Sequence, residues 1–229
     1  MEVFLDQNKN SKKETKMFGN PMRIEMDGFG VTLRPHKKEE LEKLAELYSS
    51  MNIQWYIQGT GAMTLEQEIE WWKHESEAKD SVIWAIVPDG SDTAVGSTGL
   101  HKIHPLWGSC TSGIVIADRK YWGKGVAYRA HLMRTFYAAE VLNRMTIQSK
   151  ARVENEASVK ALLKVGYRVS GKYDRDVFRQ RYIDTYVLSW VHPGRAASLY
   201  PEGVPEELNV SLKLAWDALE VASDNVKYL

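Results

Sequence analysis

One cysteine, Cys110, stands among 229 residues, so no internal disulfide can form. A chain without disulfides suits a reducing interior, and Cys110 reads as a small buried apolar residue. An excess of charge of either sign is also missing. Thirty Lys and Arg balance thirty Asp and Glu, which argues against a broad nucleic-acid or membrane surface. No apolar run approaches the ~20 residues of a membrane span. The start, "MEVFLDQNKNSKKETK", carries charge where a signal peptide has its apolar segment. Repeats and low-complexity tracts are absent. These absences lead to an expectation of a cytoplasmic protein with no nucleic-acid, membrane or metal partner.

The hydrophobic fraction is 44%. A chain of this length and composition can build one generous domain, or a domain with an appendage. Residues 1–20 are polar and lysine-rich and read as a loosely held arm. Residues 21–194 alternate strand and helix patterns. "GVTLRP" (30–35) reads as a first strand stopped by Pro35. "KEELEKLAELYSSM" (38–51) has Leu41, Leu44, Leu47 and Tyr48 at helical spacing. "NIQWYIQGTGAM" reads as a loop with two glycines. Thr64 with Gln67 three residues later forms a capping-box signal for a helix to about Lys79, with Leu65, Ile69 and Trp72 as its apolar side.

"SVIWAIV" (81–87), "AVGSTGLHKI" (94–103), "SCTSGIVIA" (109–117) and "RMTIQSKA" (144–151) read as strands, the middle two as an antiparallel pair. "YRVSGKY" and "DTYVLSWV" close the domain around a turn, "RDVFRQRYID". Helices are expected over 124–142, with a stripe of Val126, Ala130, Met133, Tyr137 and Val141, and over 155–166, ended by Gly166. The expected architecture is mixed α/β, one mostly antiparallel sheet flanked by helices. After "HPGR" the composition changes. Residues 195–229 read as a helical extension with Leu212, Trp216, Leu219 and Val226 on one face, either docked on the domain or serving as a dimer or lid element.

The segment "DRKYWGKGVAYRAHLMRTFYAAE" (118–140) carries the chemistry. Gly123 and Gly125 allow backbone N–H groups to converge. A helix start adds unpaired N–H groups and a positive dipole end, and Lys120 and Lys124 add charge. That combination suits a phosphate. A P-loop would need glycine where Asp118 stands, and a dinucleotide fingerprint would need glycine where Tyr128 stands.

The spacing Lys120-x-x-Gly123-x-Gly125 resembles the pyrophosphate loop of the GNAT superfamily of N-acetyltransferases, with Lys120 in place of the usual Arg or Gln. "VENEASVKALLKVGYR" resembles that family's second signature through Asn155, Ser158, Gly166 and Tyr167. Both segments, with "DTYVLSW", are most similar to the RimJ/RimL-like branch. The resemblance spans roughly residues 30–192.

It implies acetyl-CoA as donor and no metal. It places the pyrophosphate at Trp122, Gly123, Lys124, Gly125, Val126 and Ala127, with Lys120. It lays the pantetheine arm along Ile114, Val115 and Ile116, with a backbone N–H near Val115 for the oxyanion, and sets Asn155 and Ser158 beside the arm. The tyrosine that many members use as general acid is replaced by Leu162, and a glutamate often used as base is replaced by Thr111. His101, His104 and Asp184 remain as candidate bases. Trp55, Tyr56 and Ile57, with Arg179 and Arg181, are candidates for acceptor binding.

About one α-amine in six is neutral at pH 7, against about one lysine amine in 2500. The missing base therefore favours an α-amine or another amine of modest basicity. The expected activity is direct acetyl transfer to a protein N-terminal or small-molecule primary amine in a ternary complex, by a monomer or homodimer. The alternative is a non-catalytic acyl-CoA sensor or interaction protein.

Overall fold

The computed structural model describes residues 19–57, 61–104 and 106–229. The amino-terminal segment to residue 18, Gly59, Pro105 and the side chain of Arg179 lie outside the described residues.

The first strand, β1 (Met22–Met26), pairs with β2 (Phe29–Arg34) around Asp27 and Gly28, both at positive φ. That is the chemistry of a tight Asp-Gly hairpin turn. The reading of 30–35 as the opening strand therefore missed its partner, although "DG" between two alternating runs marks it. Next come α1 (Leu41–Ser49), the one-turn α2 (Met51–Gln54) within the expected loop, and α3 (Leu65–Glu77). Thr64 and Gln67 cap α3 reciprocally. The apolar side expected for α3 is only half-buried, and its buried residue is Glu68.

Strands β3 (Val82–Pro88), β4 (Gly96–His104) and β5 (Ser109–Ile116) follow as an antiparallel meander. Helix α4 (Val126–Phe136) then crosses to β6 (Thr146–Arg152). The last turn after α4, through Val141, widens to a π-helix and leaves Val141 exposed, so the apolar stripe ends at Tyr137. Helix α5 (Glu156–Leu163) leads to β7 (Arg168–Arg179) and β8 (Arg181–Val191). These strands run through the segment expected as a turn, and the chain reverses at Gln180, which takes positive φ. The sheet order is β7-β8-β6-β5-β4-β3-β2-β1, and only β5–β6 is parallel.

The carboxy-terminal part, α6 (Ala196–Leu199), α7 (Asn209–Asn225) and β9 (Val226–Tyr228), closes onto the same sheet. β9 pairs with β1 as the ninth strand, and α7 packs on α4. Its buried face is Ala215, Ala218 and Ala222, while Trp216 is half-exposed and donates to Glu220. Of the residues expected on one face, Leu219 and Val226 pack half-buried against the core, and alanine holds the closest approach because α7 lies against Gly166. Helices α4, α5 and α7 cover one face of the sheet, and α1 and α2 cover the other around Leu44, Tyr48 and Ile53. Among the described residues no helix is long and apolar enough to cross a membrane.

Candidate active site

Strands β5 and β6 pair only from Ser109↔Thr146 to Ser112↔Ser149. Beyond that point β6 stays with β8 and β5 stays with β4, so the sheet forks. A cleft of about 950 Å³ opens at the fork, bounded by the start of α4, by α5 and by the α2 segment.

Its outer end is the glycine loop. Asp118 caps the turn Arg119–Tyr121 by accepting the Lys120 N–H. Gly123 and Gly125 both take positive φ (73° and 74°). Gly125 is the N-cap of α4, so the first N–H groups of that helix, from Val126 on, are free of intrahelical partners. Arg129 fixes the loop from behind. It donates to the carbonyls of Gly125, Phe29 and Met26, which ties α4 to the β1–β2 hairpin. Trp122 donates its indole N–H to the Ile116 carbonyl at 2.7 Å, joining the loop to the end of β5. This arrangement fits a bound pyrophosphate: convergent N–H groups, a helix N-terminus, and open space where a Gly123 Cβ would stand.

The floor of the cleft is the edge of β5. The Ser112 carbonyl takes the Ser149 hydroxyl and the Ile116 carbonyl takes Trp122, both on the side away from β4. The Val115 carbonyl lies on the other side, where a Cβ on Gly96 of β4 would strike it. Peptide groups alternate in direction along a strand. Val115 therefore turns its N–H toward β4, and Ile114 and Ile116 turn theirs toward the opening. The Val115 N–H, expected to serve the oxyanion, therefore pairs toward β4 and does not face the opening. The Val115 side chain packs instead with Tyr48 and Ile53.

Of the residues expected to hold the cofactor, Ile114, Val115, Ile116, Trp122, Gly123, Gly125, Val126, Ala127, Asn155 and Ser158 line the cleft. Lys120 and Lys124 do not. Both are exposed, and Lys124 lies over the Tyr121 ring at 5.4 Å. Asn155 caps α5 by accepting the Ser158 N–H at 3.2 Å. Tyr56 and Ile57 line the cleft, with the Tyr56 ring edge-on to Trp122 at 6.4 Å, whereas Trp55 does not.

The candidate bases lie elsewhere. Asp184 is held by Lys172 at 2.8 Å and by the Arg175 N–H at 2.9 Å, which keeps its carboxyl below the usual range. His101 is a half-buried β4 residue whose ring burial disfavours protonation. His104 stacks on exposed Trp107 at 3.9 Å. Arg181 stands outside the cleft but pairs with Glu154, which lines it. Tyr128, Gln148 and His131 also line the cleft and were not singled out from the sequence. His131 was legible as a polar residue at a core position, three before Arg134. Tyr128 and Gln148 carry no such mark, because only the fork brings them to the opening.

Comparison with known proteins agrees with this geometry. Residues 31–168 match the family model for the acetyltransferase (GNAT) domain, more than half of the chain. An uncharacterized N-acetyltransferase p20 of Bacillus licheniformis is 27% identical over 166 residues, covering 69% of this chain and 91% of the relative. The crystal structure of a spermidine N-acetyltransferase from Vibrio cholerae with CoA and spermine superposes with a TM-score of 0.65 at 20% identity, over 70% of this chain and 95% of that one. A GNAT-family acetyltransferase from Bacillus anthracis gives 0.63 at 21% identity, over 75% and 98%. The forked sheet, the glycine loop at the head of α4 and the family match together show that the chain belongs to the GNAT acetyltransferase family, as an acyl-CoA-dependent N-acetyltransferase.

Proposed function

We propose that this enzyme acetylates a primary amine of modest basicity, with the α-amine of a peptide as the leading acceptor. The observation that carries the reading is the absence of a free carboxylate at the fork. Among the described lining residues the acids are Glu154, engaged by Arg181, and Glu156, engaged by Lys160. Thr111, where relatives often carry a base, gives its hydroxyl to the His101 carbonyl. An amine that must shed its proton at this site does so to solvent, which is cheap for an α-amine and costly for an amine of pKa near 10.

Acetyl-CoA lies with its pyrophosphate on Gly123–Ala127 and its arm along the free edge of β5, as an added strand would. The acceptor enters past Tyr56 and Ile57. Its lone pair attacks the thioester carbon, the C–N bond forms, and the electron pair moves onto the carbonyl oxygen. The Ile114 N–H, aimed at the opening, stabilises that charge. The C–S bond then breaks, CoA departs as thiolate, and the amine proton passes to water. The similarity of both signatures to the RimJ/RimL-like branch agrees with a peptide acceptor, and the single cysteine agrees with work in the cytoplasm.

The test is thiol release from acetyl-CoA against peptides of varied first residue, spermidine, free amino acids and aminoglycosides. Release with peptides at neutral pH supports the reading. Release confined to polyamines overturns the choice of acceptor, and binding of acetyl-CoA with no release from any amine would favour the sensor alternative.

A further inference from the structure

Helix α4 buries four polar residues, Arg129, His131, Arg134 and Thr135, and of these His131 and Arg134 have no exposed surface. Arg134 Nη1 donates to the Gly113 carbonyl and to Thr98 Oγ1, both at 2.9 Å. Its Nη2 lies 2.8 Å from His131 Nδ1. Guanidinium nitrogens only donate, so Nδ1 must accept and the imidazole proton sits on Nε2. That Nε2 is buried and, like Arg134 Nε and Thr135 Oγ1, has no partner among the described residues; of the three side chains only His131 lines the cleft. A buried donor left unpaired costs free energy, so such a group points to a missing acceptor.

The place of that acceptor follows from the fold. His131 is six residues past the Gly125 cap, about 9 Å along the helix axis. The Arg134 bond to Gly113 holds this turn of α4 level with the point where β5 and β6 part. An arm anchored at the glycine loop and laid along β5 brings its thioester to that level. Negative charge then develops at two atoms. The carbonyl oxygen has the edge of β5. For the sulfur, the usual tyrosine position is Leu162, and the nearby hydroxyls of Ser112 and Ser149 reach the Gln148 and Ser112 carbonyls.

Building on the proposed function, we infer that His131 is a catalytic residue whose Nε2–H donates a hydrogen bond to the thioester sulfur and holds the departing CoA thiolate. Arg134 is a positioning residue that fixes the tautomer. No proton leaves the ring: the C–S electron pair goes to sulfur, which stays an anion while bonded to a neutral donor. Burial and the adjacent guanidinium hold the ring far below its usual protonation range, so it remains a neutral donor at any physiological pH.

The test is the thiol pKa of enzyme-bound CoA, read from thiolate ultraviolet absorbance against protein without CoA, a difference that removes Cys110. The expected value lies about one to two units below that of free CoA. His131→Leu should abolish the depression and lower kcat about ten- to a hundredfold with the KM for acetyl-CoA little changed. His131→Gln, which can both accept and donate, should retain much of it. A bound thiol that titrates like free CoA in the wild type overturns the inference whatever the fate of the leucine variant, as does a depression that survives His131→Leu. Failure of CoA to bind the wild type would overturn the proposed function itself, and this inference with it.

Discussion

Gly166 and Ala215 meet so closely that a Cβ on the glycine would collide with the Ala215 backbone nitrogen and Cα. The glycine ends α5 at φ 89°, and the same missing Cβ admits α7 from the carboxy-terminal segment. A motif residue of the acetyltransferase domain is thus also the floor on which the extension docks. Gly166→Ala should destabilise the protein by about 2–4 kcal/mol, combining left-handed backbone strain with a clash that backbone atoms cannot relieve. Thermal melts of the two proteins give the comparison, and an unchanged Tm would contradict the contact.

Removal of residues 196–229 strips α7 from α4 and takes β9 from the edge of β1. The expected outcome is loss of cooperative unfolding or of solubility. A truncated protein that melts like the full chain would show that the extension adds no stability.

Gly125→Asp should weaken CoA binding at least about tenfold. It sets a carboxylate beside the expected pyrophosphate and a Cβ at a left-handed cap, 2.6 Å from Arg129 Nη1. Calorimetric titration with CoA measures it, and equal affinity would remove the glycine loop from the site.

Glu68 is buried on α3 with no cation paired to it among the described residues, and burial pushes its carboxyl up to about 7. A folded pKa above the unfolded one adds stability that is complete below about pH 4.5 and drains away as pH rises through about 7. The Tm advantage of Glu68→Gln over wild type should therefore grow from pH 5 to pH 8. A constant difference across that range would mean that Glu68 titrates normally.

Burial pushes the Cys110 thiol up to about 11. At pH 8 only about one molecule in a thousand holds a thiolate. Native protein should resist a disulfide-exchange reagent, and the thiol should react stoichiometrically once guanidinium unfolds the chain. Rapid labelling of native protein would place Cys110 at the surface.

The catalytic frame was legible where a backbone requirement leaves a residue signature. Gly123 and Gly125 mark left-handed positions, Thr64 with Gln67 marks a helix start, and Asn155 marks another. Such requirements are local, so a short window of residues expresses them. The β1 strand was missed only because its Asp-Gly turn was not used. Where the Lys120 and Lys124 side chains stand was not legible for a different reason: charge predicts attraction, but where a long side chain points depends on neighbours such as Tyr121.

The order and type of most elements, the glycine loop and the family resemblance follow from the chain alone, because periodicity and capping are short-range. The peptide groups facing the fork, the unpaired Nε2–H of His131 and the alanine face of α7 do not. They arise from strand register and from contacts between segments tens of residues apart, such as Arg134 with Gly113 and Gly166 with Ala215. A strand shifted by one residue exchanges its two faces and its two edges, and only the assembled sheet fixes that choice.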